Sequence, residues 1–222
     1  MNALKTLIPA VALAAGLALS ASADAATTVT IGLSNDNGAT IAPVATGVTS
    51  ANVNTLAFGP WEVTADAHVG FFPDLLNTNT FDAKNTAGGG TLDIFVTVQG
   101  LTNVSPGFLS GFTENLLSNG WSVTETTYYS TTNGLFLTGA TQLSTATFNA
   151  TGATTATAPG SAGPSPYSVT ERFHIVAAGI GNAQSTIDVT AIPEPTTWAL
   201  MIFGFGGVGA MLRRRRTAVA FA

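Results

Sequence analysis

Leu92-Asp93-Ile94-Phe95-Val96-Thr97-Val98-Gln99 decides the fold class. Leu92, Ile94, Val96 and Val98 alternate with Asp93, Phe95, Thr97 and Gln99, and a side-chain period of two belongs to a β-strand. The same period recurs outward in both directions. Val29, Ile31 and Leu33 alternate with Thr28, Thr30 and Gly32. Tyr167, Val169, Phe173 and Ile175 share one face, and Thr170, Arg172 and His174 share the other. Ile187 and Val189 alternate with Thr186, Asp188 and Thr190. Turn chemistry separates these runs at Asn35-Asp36-Asn37-Gly38, Gly88-Gly89-Gly90, Ser105-Pro106-Gly107, Ser118-Asn119-Gly120 and Asn133-Gly134.

Many short strands with such turns predict an all-β fold, an antiparallel β-sandwich, with a jelly roll as one way of closing it. A β-helix is the alternative, and no fixed-period repeat supports it. No amphipathic helix interrupts the body, although residues 108–117 have the apolar content for one or two helical turns, weakened by Gly111. Residues 150–166 are low in complexity, contain Pro159, Pro164 and Pro166, and read as a long loop. The runs at 167–176 and 186–191 read as a closing hairpin.

The two ends of the chain have a different character. At the N-terminus Lys5 precedes an apolar run at 7–19, followed by small residues. This is an export signal over residues 1–25, with Ala21-Ser22-Ala23 or Ala23-Asp24-Ala25 as its cleavage site. The secreted sandwich then occupies 26–191. Beyond it stand Pro193-Glu194-Pro195, an uncharged stretch at 196–212, the cluster Arg213, Arg214, Arg215 and Arg216, and a tail at 217–222. Seventeen residues of helix reach roughly 25 Å, slightly short of the ~30 Å hydrocarbon core, and arginine stems can cover the difference. The expectation is therefore a transmembrane helix at about 196–212. Its arginines would be cytoplasmic and its proline break would lie outside.

The order Pro193-Glu194-Pro195, Trp198-Ala199, then Gly204, Gly206, Gly207, Gly209 and the arginine cluster resembles the PEP-CTERM sorting signal in its PEP-x-x-W-A form. The resemblance covers about 192–216 and is silent on the fold of the body. It implies an exported bacterial protein, often from a species that makes exopolysaccharide. It also implies that the tail is recognised and cut by a membrane-embedded cysteine transpeptidase, exosortase. The expected partners are thus signal peptidase, an exosortase-like enzyme, the membrane through the C-terminal helix, and exopolysaccharide. Gly204-Phe205-Gly206-Gly207-Val208-Gly209 also fits a dinucleotide fingerprint, but no strand precedes it and no acidic residue follows, so nucleotide binding is set aside.

Without the end signals, two basic residues, Lys84 and Arg172, face ten acidic ones, a net charge of −8 for the body. Nucleic-acid binding needs clustered cations, so this composition argues against it. The chain has no cysteine. That excludes thiol catalysis and thiolate metal sites, and at about 165 residues the body can bury a core without disulfides.

The best polar constellation is Glu62, Asp66 and His68, which alternation places on one strand face opposite Trp61, Val63 and Val69. Same-face neighbours lie ~6.6 Å apart, so Asp66 and His68 could share a metal. Glu62 and Asp66, ~13 Å apart, are wider than a glycosidase pair. His174 beside Arg172 is a second candidate, to be matched with a carboxylate across the sheet. Asn35-Asp36-Asn37-Gly38 lacks the spacing of a calcium loop and reads as a turn. Trp61, Trp121, Tyr128 and Tyr129 would suit sugar stacking if exposed.

The sequence thus predicts a non-enzymatic surface or matrix protein with no cofactor and with a structural or adhesive role associated with exopolysaccharide or biofilm. Its alternatives are a glycan-binding module using those aromatics, with or without calcium, and a secreted hydrolase.

Overall fold

In the computed structural model, which describes residues 27–162, 166–192, 199–207 and 209 and leaves the side chains at 79, 80, 161 and 162 undescribed, twelve β-strands make two six-stranded sheets. They are β1 (Thr28–Ser34), β2 (Ala42–Val48), β3 (Ser50–Phe58), β4 (Trp61–His68), β5 (Asp74–Asn85) and β6 (Gly90–Leu101). After them come β7 (Ser105–Leu117), β8 (Ser122–Ser130), β9 (Thr141–Phe148), β10 (Gly152–Ala162), β11 (Tyr167–Ala177) and β12 (Gly181–Ala191). One sheet has the order β2-β1-β6-β11-β8-β9, the other β10-β7-β12-β5-β4-β3, and neighbouring strands pair antiparallel throughout the described residues.

Strands β5 to β12 form the order β5-β12-β7-β10 against β6-β11-β8-β9, which is the connectivity of a jelly roll. Strands β1 and β2 extend the first sheet beyond β6, and β3 and β4 extend the second beyond β5. At one edge the chain turns from β2 into β3 through Thr49, which adopts φ 64°. Gly47 is required there, because a Cβ would meet the Ser50 carbonyl oxygen at 2.1 Å.

The alternation of β6 is confirmed, with an addition. Leu92, Ile94, Val96 and Val98 enter the inter-sheet core, but Asp93, Phe95 and Thr97 on the outer face are fully buried too. The β8–β9 connection folds back over them. Phe136 packs on Phe95 with ring centres 6.0 Å apart, its carbonyl accepts from Thr170 at 3.0 Å, and Thr170 meets Thr97 at 2.8 Å. The side-chain carbonyl of Asn133 accepts from the Gly100 amide at 2.8 Å, and its backbone carbonyl accepts from Gln99 at 2.7 Å.

Two local expectations are corrected, and one open choice is decided. The apolar run at 108–117, whose content also suits one or two helical turns, is the interior strand β7, laddered to β10 and β12. Phe108 and Phe112 are four apart, a spacing that fits a strand face as well as a helix face, and two partner strands decide between them. The stretch at 150–166 is not a loop over most of its length: 152–162 is the edge strand β10. Its Thr/Ala alternation is mostly exposed, which keeps its hydrophobic contrast low, and Pro159 is tolerated because an edge strand has one unladdered side. The runs at 167–176 and 186–191 are not a hairpin. β11 pairs with β6 and β8, β12 pairs with β5 and β7, and the turn between them crosses from one sheet to the other.

The export signal, with Ala23 and Ala25, lies outside the described residues, as do Pro193, Glu194, Pro195, Trp198 and Arg213 to Arg216. Among the described residues no helix is long and apolar enough to cross a membrane; residues 199–207 are helical, and the rest of the span expected at 196–212 is described only at 209.

Candidate functional site

Strand β4 carries Glu62, Asp66 and His68 on its outer face while Trp61, Val63, Ala65 and Ala67 are buried, as alternation predicted. The three do not converge. Glu62 is paired with Lys84 at 2.9 Å, both half-exposed, and Asp66 accepts from Asn52 at 3.1 Å. An acid and a base held apart by separate partners on an open face provide no site for a shared reacting atom.

His174 does meet a carboxylate across the ladder. Asp93, directly opposite it on β6, accepts from His174 Nδ1 at 2.9 Å and from Arg172 Nε and Nη2 at 2.8 and 2.7 Å. The guanidinium also lies over Phe95, 5.5 Å from the ring centre. Asp93 is fully buried, with Oδ1 taking all three contacts and Oδ2 left without a partner, so this is a buried ion cluster on the outer face rather than a simple surface pair. The turn at 35–38 behaves as expected: Asp36 accepts from the Ser34 hydroxyl at 2.5 Å and the Thr40 amide at 2.9 Å, contacts that lower its pKa.

The aromatic platform is overturned where it depended on tryptophan. Trp61 and Trp121 are 1% and 2% exposed and stack edge-to-face at 5.7 Å inside the core. Tyr129 packs on Phe108 at 5.4 Å, and Tyr128 is half-buried. A sugar-stacking surface built on the two tryptophans is therefore excluded. Two large rings gain more from the inter-sheet core than from water.

Three glutamates that the sequence reading passed over are buried between the sheets. Glu171 on β11, Glu125 on β8 and Glu114 on β7 each occupy an inward position. Thr78 on the opposite sheet donates to Glu171, and Ser185 donates to Glu114 at 2.5 Å. Glu125 has Ser185 nearby, but neither of its carboxyl oxygens makes a hydrogen bond of normal geometry. Loss of hydration raises all three pKa values, Glu114 to about 7 and Glu125 to about 8. Glu114 adds repulsion on Glu125, and Asp188 and Glu125 add it on Glu171. The signal was legible: each glutamate continues the core register of its strand, as Phe108-Phe112-Glu114, Trp121-Val123-Glu125 and Val169-Glu171-Phe173. Among the described residues no group of three metal-ligating side chains is close enough to hold an ion.

A cavity of about 580 Å³ opens at the end of the sandwich where both chain termini leave, lined by Thr27, Val48, Val69, Phe71, Phe72 and Leu101. Thr27 precedes β1, and β12 finishes there, with Ala191 donating to the Pro73 carbonyl at 2.8 Å and Ile192 to that of Gly107 at 2.9 Å. Phe71 is 96% exposed and Phe72 45%. The sequence reading missed this pair, although two adjacent aromatics between Gly70 and Pro73 break strand alternation and mark a loop.

The chain leaves this end into a short helical stretch whose side chains at Leu200, Met201, Ile202, Phe203 and Phe205 are all exposed. Residues 191–216 match the PEP-CTERM protein-sorting motif. The tail is a PEP-CTERM sorting signal. That signal implies an exported, surface-associated protein processed by exosortase. No curated protein sequence matches the chain.

Among solved structures the sandwich is similar to the adhesin domain of Epf from Streptococcus pyogenes, at 12% identity and a TM-score of 0.38, over 75% of this chain and 60% of that domain. It is also similar to TmCBM61, solved with β-1,4-galactotriose, at 13% identity and a TM-score of 0.30, over 62% of this chain and 90% of that one. A third likeness is to a carbohydrate-binding module of Cellvibrio mixtus lichenase 5A, solved with cellotriose. It has 14% identity and a TM-score of 0.25, over 51% of this chain and 79% of that module. At these scores none of the three bears on what this chain binds.

Proposed function

We propose that the protein is a structural or adhesive component of the cell surface or of an exopolysaccharide matrix. Signal peptidase removes residues 1–25, the C-terminal helix holds the chain briefly at the inner membrane, and an exosortase-type transpeptidase cuts near Pro193-Glu194-Pro195. The observation that carries this reading is a boundary. The last ladder residue of β12 is Ala191, and the sorting motif begins at 191. The label therefore adjoins the sandwich without contributing a strand to it, and a cut at 193–195 would leave every sheet pairing in place. The acidic and polar residues of the outer faces are tied to one another, as Glu62 is to Lys84 and Gln184 to Asp82, which suits a passive, hydrated surface.

Mass spectrometry of the surface-released protein tests the proposal. The expected product begins near Asp24 or Ala26 and ends near Pro195. A released form whose C-terminal peptide still contains Arg213 to Arg216 would contradict it.

A further inference from the structure

The two ends of the sandwich differ in what they show to solvent. At the end where the termini leave, Val48, Phe71, Phe72, Val104 and Ile192 are exposed to 66%, 96%, 45%, 50% and 37%. The described connections at that end, residues 49, 69–73, 102–104 and 131–140, contain no Asp, Glu, Lys or Arg. At the opposite end, among the described residues, Ile180 is exposed in a connection and Leu116 and Val176 at the ends of β7 and β11 are 39% and 40% exposed, and no phenylalanine is among them. Exposed apolar side chains gathered on one end, whose described connections carry no charge, mark a contact surface.

The chain's own geometry identifies what it touches. Six residues, 193–198, separate Ile192 from the helical stretch at 199–207. Fully extended they reach at most ~20 Å. A helix lodged in a bilayer would therefore keep this end, and no other, beside the lipid. Thr27, two residues beyond Ala25, leaves from the same end, so the uncleaved export signal would hold it there as well.

We infer that the terminus-bearing end is a lipid-facing surface, with Phe71 and Phe72 entering the bilayer interface while the tail is still attached. This rests on the proposed reading that the tail sits in the membrane. The titratable groups around the loop are Asp74 at its base, Asp188 beside Asp74, and His68 at the end of β4. No lysine or arginine is among them, so the contact is apolar and does not depend on anionic headgroups. A protruding pair of phenylalanines in a loop without lysine or arginine fits the zone between headgroups and acyl chains. The consequence is orientation: the sandwich stands upright on its membrane, with its cut site held in the interface.

The absence of cysteine makes the test site-specific. Val104→Cys, Ile180→Cys and Phe203→Cys, each in the otherwise full-length chain, are labelled with an environment-sensitive dye and reconstituted into phosphatidylcholine vesicles carrying lipid-attached quenchers. The expected result is quenching at 203 and at 104 but not at 180, unchanged by added phosphatidylglycerol or by salt. F71S/F72S should lose most of the quenching at 104 and keep that at 203. Quenching at 203 alone would overturn the inference and leave the membrane tail intact. Quenching at neither would remove the tail reading together with the inference. Quenching at 104 only when exosortase is co-reconstituted would make the patch a protein contact and would also overturn it.

Discussion

The interior of the sandwich is two different materials. Around β1, β3, β4 and β6 it is apolar throughout: Val29, Ile31, Leu33, Val53, Val63, Ala65, Ile94, Val96 and Val98. Around β7, β8, β11 and β12 the same inward registers hold Glu114, Glu125, Glu171, Ser110, Thr127 and Ser185 among the aromatics. Ser110 and Thr127 join at 2.8 Å across the sheets. The first region is stabilised by area removed from water and is indifferent to pH. In the second, burial favours the protonated form of the carboxyl groups, since a charged carboxylate there would lose its hydration with little in return. Burial alone therefore does not measure what a residue contributes; its protonation state decides the sign.

The largest effect should come from the apolar region. Ile31→Ala removes a fully buried side chain and should cost about 4 kcal/mol, equally at pH 5 and pH 8.5. Chemical denaturation at the two pH values checks this, and a pH-dependent loss would break the contrast.

The acid-bearing region should set the pH dependence of the whole domain. Glu114 and Glu125 have folded pKa values of about 7 and about 8, above their ordinary 4.5. Between 4.5 and 8 the folded state then holds protons that the unfolded state has released, so stability falls as pH rises through this window, and Glu171, raised well above 4.5 by its burial, adds to the fall. The melting temperature should therefore fall steadily from pH 5 to pH 8.5, which thermal denaturation at the two pH values checks. A melting temperature that rises from pH 5 to pH 8.5 would refute the assignment.

Glu125→Gln sharpens the comparison further. It keeps the shape and removes the titration, so it should raise stability at pH 8.5 and flatten the slope, while changing little at pH 4.5. Destabilisation at both pH values would mean that the carboxyl makes a contact that glutamine cannot.

The smallest effect belongs to the surface. Lys84→Met breaks the exposed pair with Glu62 and should shift stability by less than about 1 kcal/mol, vanishing in high salt. A larger loss would show that the outer face of β4 and β5 is more than a solvated surface.

Sequence alone determined the features that depend on neighbours along the chain. Alternation at 92–99 and 167–175 announced strands, because successive side chains of an extended backbone must point to opposite faces. The proline break, the tryptophan and the arginine cluster announced the sorting tail, because a processing signal is read as a linear string. The candidate site residues divided in the same way. Glu62, Asp66 and His68 were placed on the correct face, and their mutual isolation depended on Lys84 and Asn52 from other strands. Only the tertiary structure decided that β11 and β12 join different sheets, that 152–162 ladders onto β7, and that three distant glutamates share one core. It alone brought Phe71 and Phe72 to the end where the chain enters and leaves. Periodicity is local, whereas the choice of partner strand is made between segments far apart in sequence by burial and hydrogen bonding that no single segment contains.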